Sequence, residues 1–306
     1  MRLLVTGASG LLGLNLCLVA SKHGSEVVGL VHSHSLQGVP FSIRQVDLLN
    51  TQQALVQMRD LEPDAIIHCA AMADLNLAER NPDLAYRLNG DVPGILAGAA
   101  GEWGIPFVHI STDAVFDGSK GHYVETDTPN PLSVYAKSKL VGERAVLQAN
   151  QDALVLRVVF FGWSLSGTRS LSEFFFSNLQ AGQSIKGFSD TFFCPLYVEE
   201  LAEIILEMLR LELKGIYHVV SRECISKYDF GVRIASKFGY NPELIQPVRM
   251  SELKRDAPRS LNLTLSPAKA QNAMGHALPS IDEGIDRFYQ GWLDGYPHKI
   301  NKFLME

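Results

Sequence analysis

The feature that most constrains this chain lies at its start. An apolar run, Leu3-Leu4-Val5-Thr6, gives way to Gly7-Ala8-Ser9-Gly10-Leu11-Leu12-Gly13 and then to a helical pattern. Strand, glycine turn and helix in that order open a βαβ unit. The glycines allow a tight turn and let a pyrophosphate approach the backbone. The helix N-terminus offers it unpaired N–H groups and the positive end of a dipole. The last glycine lets the helix pack closely on the strand. Glycines also punctuate ordinary turns; it is the strand before and the helix after that point to a dinucleotide.

The next 150 residues or so repeat the alternation. Glu26–Val31, Phe41–Val46, Ala65–Cys69, Pro106–Ile110 and Ala153–Val159 read as strands, apolar almost throughout. Helical periodicity fills the spaces, over Leu11–Lys22, Thr51–Arg59, Asp83–Trp103 and Pro131–Gln148. Continuously apolar strands separated by helices predict an α/β fold, a Rossmann-type doubly wound parallel sheet covered on both faces. After Gly162 the pattern becomes mostly helical (Ser170–Ala181, Val198–Leu211, Ser226–Phe238, Ser280–Trp292), with a strand at Ile216–Val220. The expected division is a dinucleotide-binding domain over 1–160, to which 187–220 returns. A smaller, mostly helical C-terminal substrate lobe is then built from 161–186 and 221–306. No Gly/Ser linker separates the two.

The second strand discriminates between dinucleotides. A carboxylate at its end would bind the ribose hydroxyls of NAD. Here the strand ends Val31-His32-Ser33-His34, and Glu26 stands at the wrong end. A 2′-phosphate meets no repulsion there, and His32, Ser33 or His34 can hydrogen-bond it. The expectation is NADP(H) preferred, with NAD(H) as the weaker cofactor.

A reactive set lies between 111 and 139. Ser111-Thr112-Asp113 follows a strand, and carboxyl ends of parallel strands are where such sheets bind ligands. Tyr135 and Lys139 share a helix face one turn apart, whereas Lys137 points away. An ammonium near a phenol favours phenolate, so Lys139 is expected to lower the pKa of Tyr135. Thr112, Tyr135 and Lys139 together suit hydride transfer to a carbonyl, with Tyr135 exchanging the proton.

Composition closes other routes. Lys+Arg number 27 against 33 Asp+Glu, a formal net charge of −6, and no basic run invites nucleic acid. No apolar stretch reaches the length of a membrane span. Cys17, Cys69, Cys194 and Cys224 are far apart with no C-x-x-C. That argues against a zinc site and a disulfide framework and fits a reducing, cytoplasmic setting. No metal ligands stand at suitable spacing.

On these motifs the chain resembles the extended short-chain dehydrogenase/reductases, and within them the dTDP-4-dehydrorhamnose reductase-like branch. The matching pieces are Thr6 to Gly13, Pro63-Asp64-Ala65-Ile66-Ile67-His68-Cys69-Ala70-Ala71, Ala78-Glu79 and Tyr86-Arg87-Leu88-Asn89. His109-Ile110-Ser111-Thr112-Asp113-Ala114-Val115-Phe116-Asp117-Gly118 and Tyr135-x-x-x-Lys139 with Gly142-Glu143 complete them. The resemblance is dense to about residue 160 and thinner beyond, where Asp190, Pro195, Gly215-Ile216-Tyr217-His218 and Ala257-Pro258-Arg259 echo later landmarks. It implies that Gly7, Ser9, Gly10, Leu11 and Leu12 line the pyrophosphate, and that Asp47 and Leu48 sit at the adenine. Ala70, Ala71 and Ala73 would pass under the nicotinamide-side ribose, with Asn89 also in the cofactor set. Thr112, Tyr135 and Lys139 would be catalytic, with Asp113, Phe116, Phe160 and Phe192 at the substrate.

Three departures fall where substrate is held. Phe160 stands where the family usually has Trp, Asp190-Thr191-Phe192-Phe193-Cys194-Pro195-Leu196 replaces Asp-Gln-x-Gly-x-Pro-Thr, and Ser260 follows Arg259 where the family has Pro. The resemblance thus implies an NADP-preferring reductase of a nucleotide-linked sugar, and homodimers are common in such folds. Two alternatives stay open: a sugar-nucleotide epimerase or dehydratase that retains NAD, and an NADP-binding regulatory subunit resembling the beta subunit of methionine adenosyltransferase. His68 and His109 read as satisfied core histidines, Phe174-Phe175-Phe176 as helix packing, and Phe192-Phe193 as a loop able to stack on a base.

Overall fold

The computed structural model describes residues 1–33, 36–252 and 260–304. The first half runs β1 (Arg2–Thr6), α1 (Leu11–Lys22), β2 (Glu26–Val31), β3 (Ser42–Gln45), α2 (Thr51–Arg59), β4 (Ala65–His68), α3 (Leu75–Arg80), α4 (Pro82–Tyr86), α5 (Val92–Trp103), β5 (Phe107–Thr112), α6 (Val134–Ala149) and β6 (Leu154–Val158). The second half runs β7 (Phe160–Phe161), α7 (Leu171–Gln180), β8 (Ile185–Phe188), β9 (Phe192–Phe193), β10 (Leu196–Tyr197), α8 (Val198–Arg210), β11 (Gly215–Val219), β12 (Ile225–Ser226), α9 (Lys227–Phe238), β13 (Ile245–Val248), α10 (Ala268–Met274), α11 (Ile281–Leu293) and α12 (Tyr296–Asn301).

Seven strands form one sheet in the order β11-β6-β5-β4-β1-β2-β3, each neighbouring pair parallel. Successive side chains of a strand point to opposite faces. Leu3 and Val5 therefore enter the core under α1 and α8, while Leu4 enters the one under α2 and α5. Both faces are covered over the central strands, which are therefore apolar through most of their length, whereas the edge strand β3 (Ser-Ile-Arg-Gln) is largely exposed. The chain reverses its direction of travel between β1 and β4, opening a crevice at the carboxyl ends of the strands.

The expected long helix over 83–103 is broken. A π-helical turn, Arg87–Asp91, separates α4 from α5. Pro93 has no N–H to offer the Asn89 carbonyl four residues back. That carbonyl instead abuts Gly142 of α6, where a Cβ would come within 2.1 Å of it.

In the second half, α8 and β11 return to the main sheet, α8 packing on α1 and β11 pairing with β6. The remainder builds a lobe of helices and short strand pairs: β8 with β13, β9 with β12 and β10 with β7. Aromatic rings fill it. Trp163 stacks on Phe288 with centroids 3.9 Å apart and donates its indole N–H to the Phe288 carbonyl at 3.0 Å.

One expectation about cysteine is corrected. Cys194 and Cys224 form a disulfide, with Cα atoms 4.1 Å apart and a sequence separation of 30. The antiparallel register of β9 and β12 pairs Phe193 with Ile225, and Cys194 and Cys224 are the next rung. Spacing along the chain did not reveal that rung. Cys17 and Cys69 are free. Among the described residues no helix is long and apolar enough to cross a membrane.

Candidate active site

A cavity of about 380 Å³ opens at the carboxyl ends of β1, β2, β3 and β4. The glycine turn makes one wall. Gly7 has φ +68°, and a Cβ there would lie 2.8 Å from the backbone of Ala70. At Gly13 a Cβ would lie 2.2 Å from the Gly7 carbonyl oxygen, so α1 sits directly against the turn. Gly10 is the N-cap of α1 and spends no side-chain hydrogen bond on its first turn. Those N–H groups are left for an anion. The turn, the helix end and the volume together fit a dinucleotide.

The expected cofactor residues divide. Gly7, Ser9, Gly10, His32, Asp47, Leu48, Ala70 and Ala71 all line this cavity. Leu11, Leu12, Ser33, Ala73 and Asn89 do not. Leu12 points into the core at 4% exposure, so only its backbone can serve. Asn89 is fully buried: its Oδ1 accepts from Met72 N–H at 2.8 Å, and its Nδ2 donates to Met72 O at 3.1 Å and Ser138 Oγ at 3.0 Å. It braces the cavity wall without reaching the cavity. His34 and Ala257-Pro258-Arg259 lie outside the described residues. The sequence reading missed Leu84, Leu88 and Arg169, which also line the cavity.

A second cavity, of about 220 Å³, opens on the same edge over β5 and β6. Thr112, Asp113, Tyr135, Phe192 and Lys227 are among its walls. Thr112 ends β5 and caps the following turn: its Oγ1 accepts from Ala114 N–H at 3.2 Å and donates to Asp113 Oδ1 at 3.0 Å. Ser133 caps α6, and Tyr135 stands in its first turn. Burial pushes the Asp113 carboxyl up to about 6, against the Thr112 hydrogen bond and the Lys227 charge.

The expected phenol–ammonium coupling is corrected. Burial pushes the Tyr135 phenol up to about 12, with the Thr112 hydroxyl pulling it down and the Asp113 charge adding to the rise. Lys139 is 2% exposed, and its Nζ donates to Ile110 O at 2.6 Å and lies 3.3 Å from His109 Nε2. Burial lowers its ammonium to about 8, opposed by Glu143 and Cys69. The Lys139 ammonium is buried and directed at a backbone carbonyl and an imidazole, while Tyr135 is half-buried at the cavity wall. Tyr135 is therefore a neutral phenol, able to give a proton.

Two aromatic expectations are also corrected. Phe116 does not reach the cavity. It is fully buried, stacked on Tyr123 at 4.2 Å and covered by the Arg157 guanidinium at 5.0 Å. Arg157 in turn pairs with Glu143 at 2.8 Å, both side chains 2% exposed, and Ser111 donates to the same carboxylate. The ring packs beneath this ion pair and lines neither cavity. Phe160, in β7, lines neither cavity and packs against the core. Phe192 does line the second cavity and stays 40% exposed.

His68 and His109 are buried and uncharged; burial, with Lys139 close by, drops His68 to about 3. His68 Nδ1 bonds Thr6 Oγ1 at 2.8 Å. They are not fully satisfied: His68 Nε2 and His109 Nδ1 have no hydrogen-bond partner among the described residues. No group of three or more His, Cys, Asp or Glu able to hold a metal occurs among the described residues.

The RmlD substrate binding domain family matches residues 1–293. The chain is 35% identical to a protein named probable low-salt glycan biosynthesis reductase Agl14 from Haloferax volcanii, over 92% of this chain and 95% of that one. It is 33% identical to a dTDP-4-dehydrorhamnose reductase of Mycobacterium tuberculosis, over 87% and 84%. The methionine adenosyltransferase 2 subunit beta of Bos taurus is 32% identical, over 87% and 80%. A solved structure of dTDP-4-dehydrorhamnose reductase from Bacillus anthracis, in complex with NADP, superposes with a TM-score of 0.80 at 26% identity, covering 94% of this chain and 98% of that one.

Proposed function

Given that the chain belongs to the RmlD substrate binding domain family and is an NAD(P)-dependent oxidoreductase of the short-chain dehydrogenase/reductase type, we propose that it prefers NADP(H) and reduces a keto group of a nucleotide-linked sugar. The observation that carries this reading is the half-buried phenol of Tyr135, which lines the second cavity beside the Thr112 hydroxyl. A nicotinamide dinucleotide held along Gly7, Ser9, Gly10 and Ala70 would supply the hydride. Tyr135 gives its proton to the carbonyl oxygen as negative charge develops there, and Thr112 orients that oxygen. Lys139, anchored by Ile110 and His109, has one N–H left that would serve the nicotinamide-side ribose. Asp113 and Phe192 border the sugar, with Thr191, Phe193, Lys227, Met250 and Ser260 completing the wall on the side of the second lobe. The NADP preference rests on the absence of a carboxylate at the end of β2, and the NADP complex of the Bacillus anthracis relative supports it. A homodimer is the expected assembly.

The test follows NADPH absorbance against a panel of 4-keto nucleotide sugars, repeated with NADH. Consumption of NADPH with at least one sugar, faster than of NADH, is expected. If the protein binds NADPH and reduces none of them, the sugar-reductase reading is lost. A second reading has one observation in its favour, the 32% identical subunit beta relative. In that case NADP-bound protein would reduce no sugar and would associate with a methionine adenosyltransferase catalytic subunit.

A further inference from the structure

Among the described residues lining the dinucleotide crevice, one carries a permanent positive charge: Arg169. It comes from the segment between β7 and α7, which leaves the sheet for the second lobe, and not from the glycine turn or the strand ends. Its backbone is pinned. The Arg169 N–H donates to Glu173 Oε2 at 2.9 Å and to Ser164 Oγ at 3.4 Å. Glu173 is 1% exposed and also accepts from the N–H groups of Ser164 and Ser170, at 2.5 and 3.0 Å, and from the Ser164 hydroxyl. The carboxylate nearest in sequence is therefore consumed in shaping the turn. The Arg169 guanidinium itself makes no hydrogen bond or ion pair among the described residues. The carboxylate that shares the cavity, Asp47, lies 3.9 Å from His32.

An exposed arginine on a hydrogen-bonded turn, lining a crevice that also holds the glycine turn and the N-terminus of α1, is complementary to phosphate. A guanidinium grips phosphate oxygens with two parallel hydrogen bonds. We propose that Arg169 is an anion clamp that binds a phosphate of the bound dinucleotide and so links cofactor capture to the second lobe. This rests on the reading of the crevice as a dinucleotide site. The phosphate has two sources: the pyrophosphate, common to NADH and NADPH, and the 2′-phosphate of NADPH alone.

The experiment measures Kd for NADPH and for NADH by quenching of protein fluorescence, in the wild type, Arg169→Ala and Arg169→Lys, with Tm as a check on folding. Because the side chain is exposed, Arg169→Ala is expected to keep its Tm. Its Kd for NADPH should rise by about tenfold or more, with Arg169→Lys between the two. A rise for NADPH alone assigns the clamp to the 2′-phosphate, and an equal rise for both cofactors assigns it to the pyrophosphate. The salt dependence of NADPH binding should also flatten in Arg169→Ala. If both Kd values stay within twofold of wild type, the clamp is refuted. If the wild type binds neither dinucleotide, the crevice reading falls instead.

Discussion

The two cavities on the carboxyl edge of the sheet are built from different materials. The dinucleotide crevice is walled by the glycine turn, small residues and aliphatic side chains, so much of its polar chemistry comes from the backbone, with His32, Asp47 and Arg169 as the charged or ionisable groups. The Tyr135 cavity is walled by side chains drawn from distant parts of the chain: Thr112, Tyr135, Phe192, Lys227 and Ser260. A backbone-made site tolerates little change in shape but asks little of side-chain chemistry. A side-chain-made site depends on individual groups and can be retuned one residue at a time. Binding and turnover should therefore come apart under mutation.

The sharpest way to break this contrast is Tyr135→Phe. Removing the phenol should cut kcat by about a thousandfold while leaving Kd for NADPH within about twofold. A turnover near wild type would reject the proton donor. The counterpart on the other side is Gly13→Ala, whose Cβ has no room against the Gly7 carbonyl. It should cost about 1–3 kcal/mol of stability and weaken NADPH binding by about tenfold or more. Binding and Tm equal to wild type would mean that the turn yields more easily than the backbone contact implies.

Titration tests the divide more gently. Lys139 titrates near 8 when folded, against an ordinary 10.5. Between those values the unfolded chain binds a proton that the folded chain does not, so this residue makes stability rise with pH across that window. Chemical denaturation of the cofactor-free protein at pH 8 and pH 10 should show the rise, and Lys139→Met should remove it. The smallest effect is expected at Phe192, which borders the Tyr135 cavity yet stays largely in solvent. Phe192→Ala should raise the KM for the sugar substrate by about three- to tenfold, with kcat nearly unchanged. A fall in kcat with constant KM would assign this ring to the chemistry instead.

The same contrast explains what could be read in the residues. Glycine spacing and continuously apolar strands announce the crevice, and α1, β2 and α2 fall on the bounds that periodicity predicts. The Tyr135 cavity was legible only where Thr112 and Tyr135 lie close to a strand or helix end. Phe116 misled because its motif position says nothing about the Glu143–Arg157 pair that packs above it. The π turn at Arg87–Asp91 depends on a proline two residues beyond it and on a contact with α6 far along the chain. The disulfide depends on a strand pair only two residues long. Arg169 left one trace: Ser170 and Glu173 form a capping box whose spacing is visible in the sequence. That signal marks a rigid turn, but only the fold shows what the turn faces.

Asn89 has a mechanical consequence. One carboxamide holds both backbone groups of Met72 and the hydroxyl of Ser138, which in turn donates to the Tyr135 carbonyl at 2.8 Å. The floor beneath one ligand and the helix that carries the acid for the other are thereby riveted together. The spacing between the crevice wall and the first turn of α6 is thus set by a side chain that lines neither cavity.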